Sequence, residues 1–312
     1  MPLMRSFFIA LSRNRSLRRF SEQSLLGRKM SSRFVAGLTI EDALRVAAAV
    51  EQQGMFVTLD SLGESVTSEQ EARAAAAIYH KLLDEIAARN LKANVSLKLS
   101  QMGLDLSPAL AESIVTELVD HARQTHNFVR VDMEGSEHTQ VTLDLVHKLN
   151  DRQEFKGHVG IVVQAYLHRT RADVEELIRR GIRIRLCKGA YKEPAGIAFP
   201  DKADVDAAYE RLMIRLMREG NYPGLATHDV RIIQRAVEVA KAEGIARDRF
   251  EFQMLYGIRR DIQEQLAEAG YRVRVYVPFG SQWYPYFMRR LAERPANVSF
   301  ILRNLWRERG RD

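Results

Sequence analysis

Cysteine and long apolar runs are both scarce in this chain of 312 residues. Because Cys187 is its only cysteine, no intramolecular disulfide can form, and a structural zinc site is disfavoured. No apolar run is long enough to span a bilayer, and the stretch at residues 7–11 is too short for a secretory signal. We therefore predict a cytoplasmic protein, for which any membrane contact is peripheral, at the inner face of the cell membrane.

Positive charge is concentrated at the two ends of the chain. Lysines and arginines number 47 against 40 aspartates and glutamates, which gives a formal net charge of +7. The terminal basic residues are Arg5, Arg13, Arg15, Arg18, Arg19, Arg28, Lys29 and Arg33, and then Arg303, Arg307, Arg309 and Arg311. A basic N-terminal arm can contact nucleic acid or an acidic membrane surface. A solvated amphipathic helix explains the same pattern.

Short β-branched runs alternate with segments of helical periodicity from residue 56 onward, which predicts eight strand–helix units. The predicted strands are 56–60, 93–99, 128–133, 159–165, 182–188, 224–227, 250–254 and 273–277. Eight such units predict an α/β fold, the (β/α)8 TIM barrel. The alternative of an open doubly wound sheet is disfavoured, because no Gly-x-Gly-x-x-Gly turn follows the first strand. Residues 1–50 are predicted to form an N-terminal helical arm, and residues 51–312 the catalytic barrel.

Polar residues stand at the carboxyl ends of these strands, where the functional sites of such barrels lie. They are Lys98, Asp132, Gln164, Arg185, Lys188, Thr227, His228, Asp229, Gln253 and Tyr276. Each has an ordinary explanation by itself: Lys98, for example, is either a salt-bridge partner or a Schiff-base lysine. Asp132 and Glu134 lack the companion ligands of a metal site, so we predict none. Taken together, the polar side chains at these strand ends require hydrogen-bond or charge partners, or a large polar ligand, if they are removed from water.

Two further segments narrow the kind of ligand. Gly189 and Ala190 allow the backbone to approach a ligand closely beside Arg185 and Lys188, which suits a phosphate-bearing or electron-accepting cofactor. A loop held by a salt bridge is the alternative. Two short helices are predicted after the last strand, at 285–293 and 298–307. In the first of them, helical spacing puts Tyr286, Arg289, Arg290 and Glu293 on one face, where two guanidiniums can bind a carboxylate. A salt-bridged surface helix is the alternative there.

Three of these segments carry a resemblance to a known family. Residues 185–191 (RLCKGAY), 250–257 (FEFQMLYG) and 276–297 resemble proline dehydrogenase, in its monofunctional bacterial form, which is homologous to the barrel domain of proline utilization A. The resemblance runs from about residue 37 to about residue 304 and includes Leu62-Gly63-Glu64. It implies a distorted (β/α)8 barrel in which the final helix lies over the barrel mouth.

The resemblance also implies an activity, the oxidation of L-proline to Δ1-pyrroline-5-carboxylate, the first step of proline catabolism to glutamate. A hydride would pass to N5 of a non-covalent flavin, and the electrons to a membrane quinone. FAD is expected rather than FMN, although no adenine-reading motif stands out. A separate pyrroline-5-carboxylate dehydrogenase would act next, and no nucleic-acid partner is expected. Tyr276 disfavours 4-hydroxyproline as substrate, since relatives using it have a smaller residue there.

Site residues follow from the same resemblance. Arg289, Arg290 and Lys98 are expected to bind the proline carboxylate, while Tyr276, Tyr286 and Leu255 contact its ring. The expected flavin-lining residues are Met133, Gln164, Arg185, Lys188, Gly189, Ala190, Thr227 and His228. Asp132 belongs to the hydrogen-bond network, Glu64 pairs with Arg289 over the substrate, and Glu293 braces the arginines. The competing hypotheses are an aldolase-like barrel with Lys98 or Lys188 as Schiff base, and a non-catalytic adaptor acting through the basic arm.

Overall fold

The computed structural model of the protein describes residues 33–63 and 65–293, with side chains as far as residue 288. Its eight parallel strands pair in chain order, and β1 also pairs with β8, so that the sheet closes into a barrel. The strands are β1 Phe56–Ser61, β2 Ala93–Leu97, β3 Val129–Val131, β4 Val159–Gln164, β5 Arg183–Cys187, β6 Gly224–Ala226, β7 Glu251–Leu255 and β8 Arg272–Phe279. The predicted barrel is confirmed.

Helices follow the strands and cover the outside of the barrel. They are α1 Ile40–Gln52, α2 Glu69–Ala88, α3 Pro108–Gln124, α4 Ser136–Asp151, α5 Thr170–Arg179, α6 Lys202–Glu219, α7 Val230–Ala242, α8 Arg260–Glu268 and α9 Trp283–Glu293, with a 3-10 turn at Gln153–Phe155. Gly181, Gly244 and Gly270 follow α5, α7 and α8 with φ of 67°, 64° and 78°, the left-handed conformation that ends a helix. None of the helices in the described part of the chain combines the length and apolarity that a bilayer crossing requires.

The predicted division at residue 50 falls inside α1. Thr39 and Asp42 form a capping box at the start of this helix. Its buried residues, Ala43, Leu44, Ala47 and Val50, belong to the same hydrophobic core as the strands. Residues 40–50 therefore pack as part of the barrel. Residues 1–32, which make up most of the predicted arm, lie outside the described residues.

The last helix packs on the barrel's carboxyl-terminal side. Its residues share a second apolar cluster with the ends of β1 and β7 and with the segment at 34–35; the members are Phe34, Val35, Leu62, Ile258, Trp283, Tyr284, Tyr286 and Phe287. Backbone hydrogen bonds join the next two residues, Ala36 and Gly37, to the end of β8. They run from Ala36 N to Pro278 O and from Gly280 N to Gly37 O, and each is 2.9 Å long. The helix therefore lies over the mouth, as expected, and starts two residues before the predicted 285. The helix predicted at 298–307 lies outside the described residues.

The opposite, amino-terminal end of the barrel, which we call the floor, is built from arginines stacked on aromatic rings. The Arg130 guanidinium lies 4.7 Å from the centre of the Phe128 ring, and that of Arg274 lies 5.2 Å from the Phe56 ring. Glu251, at the start of β7, accepts hydrogen bonds from Arg274 Nε at 2.7 Å and Tyr222 Oη at 2.9 Å. Interior positions usually filled by apolar layers are thus occupied by charged groups, and the site is built above them.

Candidate active site

Arg185, in the middle of β5, is the centre of the mouth. Its Nη1 donates to Asp132 Oδ1 at 2.8 Å and to Ser96 Oγ at 3.3 Å, and its Nε donates to Gln253 Oε1. These partners follow or lie on β3, β2 and β7, none of which neighbours β5 in the sheet. The bonds must therefore cross the barrel interior, and they hold a guanidinium that is only 6 % exposed.

Tyr276 and Asp132 complete this centre from other sides of the barrel. The Tyr276 hydroxyl donates to Asp132 Oδ2 at 3.1 Å, and the Arg185 guanidinium lies 5.3 Å from the Tyr276 ring centre. Burial, together with the Asp132 carboxylate, raises the pKa of Tyr276 well above its ordinary value. The phenol therefore stays protonated at neutral pH and acts as a hydrogen-bond donor.

Lys98 lies just beyond β2, beside a carboxylate that the sequence analysis did not single out. Its Nζ is 3.5 Å from Asp60 Oδ2, at the end of β1, and Asp60 is 1 % exposed. Burial raises the pKa of Asp60, although the Lys98 ammonium acts in the opposite direction. The ion pair matches the salt-bridge interpretation of Lys98 and offers nothing in favour of a Schiff base.

Two predicted cofactor-lining residues end the neighbouring strands β3 and β4. Met133 and Gln164 are both buried. Among the described residues, the Gln164 side-chain oxygen has no hydrogen-bond partner, and neither has Nη2 of Arg185. Buried polar atoms are rarely left unpaired, so that two such atoms on the neighbouring strands β4 and β5 indicate a place for a polar ligand.

The loop after β5 brings the backbone of Gly189 against the Tyr166 ring, and its predicted approach to a ligand stays a prediction. Gly189 has φ of 111°, and a Cβ at this position would lie 2.2 Å from the Tyr166 ring, so that glycine is required there. Lys188 Nζ is ion-paired to Asp206 Oδ1 at 2.5 Å and to Asp229 Oδ2 at 3.1 Å, while Ala190 is exposed. The salt bridge that we considered as the alternative for this loop is therefore present, alongside the glycine.

Thr227 and His228 bring the end of β6 against β7. The Leu255 backbone N–H donates to His228 Nε2 at 2.9 Å, so that Nε2 carries no proton. The Thr227 hydroxyl accepts from Asp229 N at 3.0 Å. Leu255 itself packs against the cluster that contains Tyr286, which is 7 % exposed. These four predicted residues therefore line one side of the mouth.

Four predicted residues cannot be placed in this way. Glu64 lies outside the described residues, and so do the side chains of Arg289, Arg290 and Glu293, although the backbone of the last three is helical. The carboxylate clamp and its brace remain predictions.

Ser96, Asp60 and the pair Glu251 and Gln253 belong to the interior network but were given no role from the sequence. Ser96 Oγ donates to Asp132 Oδ1 at 2.6 Å, and Gln253 Nε2 donates to Glu251 Oε1 at 2.6 Å. The sequence contained a signal for Ser96. Because side chains alternate between the two faces of a strand, Ser96, two residues before Lys98, shares the face of Lys98.

Comparisons with known proteins show which family this chain resembles. The family model described as "Proline dehydrogenase" matches residues 43–303. "Proline dehydrogenase 1" of Bacillus subtilis subsp. natto is 41 % identical over 304 residues, which cover 97 % of this chain and 99 % of the relative. "Proline dehydrogenase" of Deinococcus radiodurans is 43 % identical over 284 residues, which cover 88 % of this chain and 90 % of the relative.

A solved structure shares the fold. Proline utilization A from Bdellovibrio bacteriovorus, inactivated by N-propargylglycine, aligns with a TM-score of 0.79 and 29 % identity over 85 % of this chain. The chain spans 32 % of that longer protein. The family model covers most of the chain and the bacterial relatives match nearly end to end, so this chain belongs to the proline dehydrogenase family.

Proposed function

We propose that this chain oxidises L-proline to Δ1-pyrroline-5-carboxylate with a non-covalent FAD, and that a quinone receives the electrons. The observation that carries the proposal is the hydrogen-bonded Arg185–Asp132–Tyr276 centre, in a chain of the proline dehydrogenase family. The product would be substrate for a separate pyrroline-5-carboxylate dehydrogenase, and proline breakdown to glutamate would begin here.

The unpaired atoms of the mouth fit a flavin. Arg185 Nη2 lacks an acceptor and Gln164 Oε1 lacks a donor, and an isoalloxazine ring offers both, as ring nitrogen and carbonyl acceptors and as a ring N–H. Gly189, which packs against the Tyr166 ring, would present its backbone to the flavin. Met133, Lys188, Ala190, Thr227 and His228 would complete the lining. When bound, the flavin supplies the hydride acceptor, at N5, and the route by which electrons reach a quinone.

The remaining residues bind and orient proline. Lys98 with Arg289 and Arg290 would hold the carboxylate, because two or three cations fix its position and orientation. Tyr276, Tyr286 and Leu255 would wall the ring and exclude water. Asp132 holds both Arg185 and Tyr276 in place, and Arg185 contributes a positive charge where negative charge develops. Glu64 would close over the substrate by pairing with Arg289, and Glu293 would brace the two arginines.

An anaerobic titration tests this function. The purified protein should absorb as a flavoprotein near 450 nm, and L-proline added without oxygen should bleach that band; an extract resolved by chromatography should contain FAD. A protein that stays colourless after reconstitution with FAD and with FMN would contradict the proposal. Bleaching by other amino acids, but not by proline, would overturn the substrate assignment.

Peripheral membrane contact through the N-terminal arm is a separate part of the proposal. Its support is the arginine-rich, phenylalanine-containing sequence of residues 1–30. Deleting these residues should weaken cosedimentation with anionic liposomes while proline oxidation with a soluble dye continues. Unchanged liposome binding would remove this role from the arm.

A further inference from the structure

A polar chain runs from the floor of the barrel up to Arg185. Gln253 lies between Arg185 above and Glu251 below, on the same face of β7 as Glu251. We infer that Gln253, held by Glu251, is a positioning residue that fixes the plane of the Arg185 guanidinium. The inference deepens the proposed function and rests on it for its catalytic consequence.

Glu251 fixes the direction of the Gln253 amide. An ionised carboxylate only accepts hydrogen bonds, so the amide nitrogen must point to Glu251, and it lies 2.6 Å from Glu251 Oε1. The amide oxygen then necessarily points at Arg185 Nε. If the amide were reversed, oxygen would face carboxylate and nitrogen would face guanidinium, and both contacts would be repulsive.

Glu251 is itself immobilised and ionised. It is 2 % exposed and accepts from Arg274 Nε at 2.7 Å and Tyr222 Oη at 2.9 Å in addition to Gln253. Burial alone would raise the pKa of Glu251, but Arg274 and these hydrogen bonds lower it below its ordinary value. The lower end of the chain is therefore anchored on the floor.

Gly224 leaves room for this arrangement. It lies in β6, in register with Glu251 of the neighbouring strand β7, and a Cβ at its position would be 2.4 Å from Gln253 Nε2. Its φ is not in the left-handed region, so the backbone itself could accept an alanine there. Because Gly224 has no side chain, the Gln253 amide has room beside β6.

The bond at Nε has an effect that the other bonds of Arg185 cannot provide. Asp132 and Ser96 both bind Nη1, which fixes one corner of the guanidinium and leaves rotation about that corner. A second bond at Nε, on a different edge, fixes the plane. Nη2, which has no partner among the residues that the structure describes, is then directed to one place in the mouth.

The test uses Gln253→Met, which keeps the side-chain volume and removes both hydrogen bonds. The first measurement is the 15N–1H signal of the Arg185 Nε group, assigned by its disappearance in Arg185→Lys. This signal can be recorded without activity, and the parent and the variants are compared at equal flavin content, because Arg185 lies in the proposed flavin site. The second is kcat/KM for proline in Gln253→Met, Arg185→Lys and the double variant. Asn150→Leu is the control, because Asn150 is buried and donates to Arg180 O outside the barrel interior.

Gln253→Met should shift the Nε signal and speed its exchange with water, and should lower kcat/KM about tenfold or more, the effect of losing a hydrogen bond to a charged group. In the Arg185→Lys background it should have little further effect. Asn150→Leu should lower stability and leave the Arg185 signal in place. An unmoved signal in Gln253→Met, or losses that multiply in the double variant, would overturn the inference.

Gly224→Ala is the second variant, for the case that Gln253→Met does not fold. Its new methyl group displaces the Gln253 amide without removing a polar atom, and it should move the same Arg185 signal. An unchanged Arg185 signal in this variant would also count against the positioning role of Gln253. If the protein neither binds flavin nor oxidises proline, the proposed function fails, and the Nε signal still decides whether Gln253 holds Arg185.

Discussion

The floor and the mouth of the barrel each contain a fully buried carboxylate beside a cation, and the two carboxylates behave in opposite ways. Glu251, on the floor, is paired at 2.7 Å with Arg274 and accepts two further side-chain hydrogen bonds; burial raises its pKa, but these partners lower it overall. Asp60, at the mouth, lies 3.5 Å from Lys98, and burial raises its pKa despite that cation.

The difference lies in how completely each carboxylate is paired. On the floor, guanidiniums stack on aromatic rings and Glu251 has three side-chain donors, although Arg130 Nε and Arg183 Nε lack partners among the described residues. At the mouth, Arg185 Nη2 and Gln164 Oε1 lack partners, and Asp60 is near a second carboxylate, Asp132. Buried polar groups without hydrogen-bond partners lower the stability of the fold, and a bound ligand that supplies the partners offsets this loss. The floor is thus built for stability and the mouth for binding.

The largest effect should follow from breaking the floor pair. Glu251→Leu leaves Arg274, whose side chain is 12 % exposed, without its carboxylate, which should cost about 3–5 kcal/mol of unfolding free energy. The double variant Glu251→Leu/Arg274→Met removes both charges and should recover most of that loss. Urea unfolding followed by circular dichroism measures both. Equal stability of the single variant and the parent protein would show that the floor pair is not the structural anchor described above.

Two tyrosines allow a matched comparison of floor and mouth. Tyr222 donates to Glu251 at 2.9 Å, and Tyr276 donates to Asp132 at 3.1 Å. Tyr222→Phe should cost about 1.5–3 kcal/mol of stability, since its hydroxyl binds a buried charge, with a smaller loss of proline oxidation than Tyr276→Phe. Tyr276→Phe should lower kcat/KM by a similar free energy with the smaller loss of stability. The reverse ranking in paired unfolding and kinetic measurements would contradict the division of roles.

Lys98→Met should separate binding from stability at the mouth. The apparent KM for proline should rise about tenfold or more, as for the loss of one charged contact to a carboxylate. Stability should change by only about 1 kcal/mol, because Asp60 can take up a proton when its cation is gone. Steady-state kinetics and thermal unfolding test the two parts. A stability loss as large as that of Glu251→Leu would mean that the Lys98–Asp60 pair is structural.

Much of the fold was predictable from local pattern, and much of the site was not. The eight strands follow from β-branched runs between helical segments, with ends displaced by one or a few residues. Arg185, Asp132 and Tyr276 were found because the ends of parallel strands meet at one mouth. The Gln253–Glu251 chain was missed, because a contact across the barrel depends on strand register and stagger. Lys188 is ion-paired to Asp206 and Asp229. Whether these side chains meet depends on how the helices are rotated about their axes, which periodicity does not fix.

The smallest effect, and the most direct test of the comparison, is in the pH dependence of stability. The pKa of Asp60 is raised above 3.8 by folding, so its contribution to stability is full below that value and is lost as pH rises through the raised pKa. The pKa of Glu251 is lowered below 4.5, so its contribution is present above that value and is lost as pH falls through the lowered pKa. Asp60→Asn cannot titrate, and its stability relative to the parent should therefore rise as the pH increases from about 3.8 through the raised pKa of Asp60. Glu251→Gln should show the opposite trend. Its stability relative to the parent should fall as pH rises from the lowered pKa of Glu251 to about 4.5. Urea unfolding at a series of pH values measures both differences, and two variants that drift in the same direction would show that the floor and mouth carboxylates do not differ in kind.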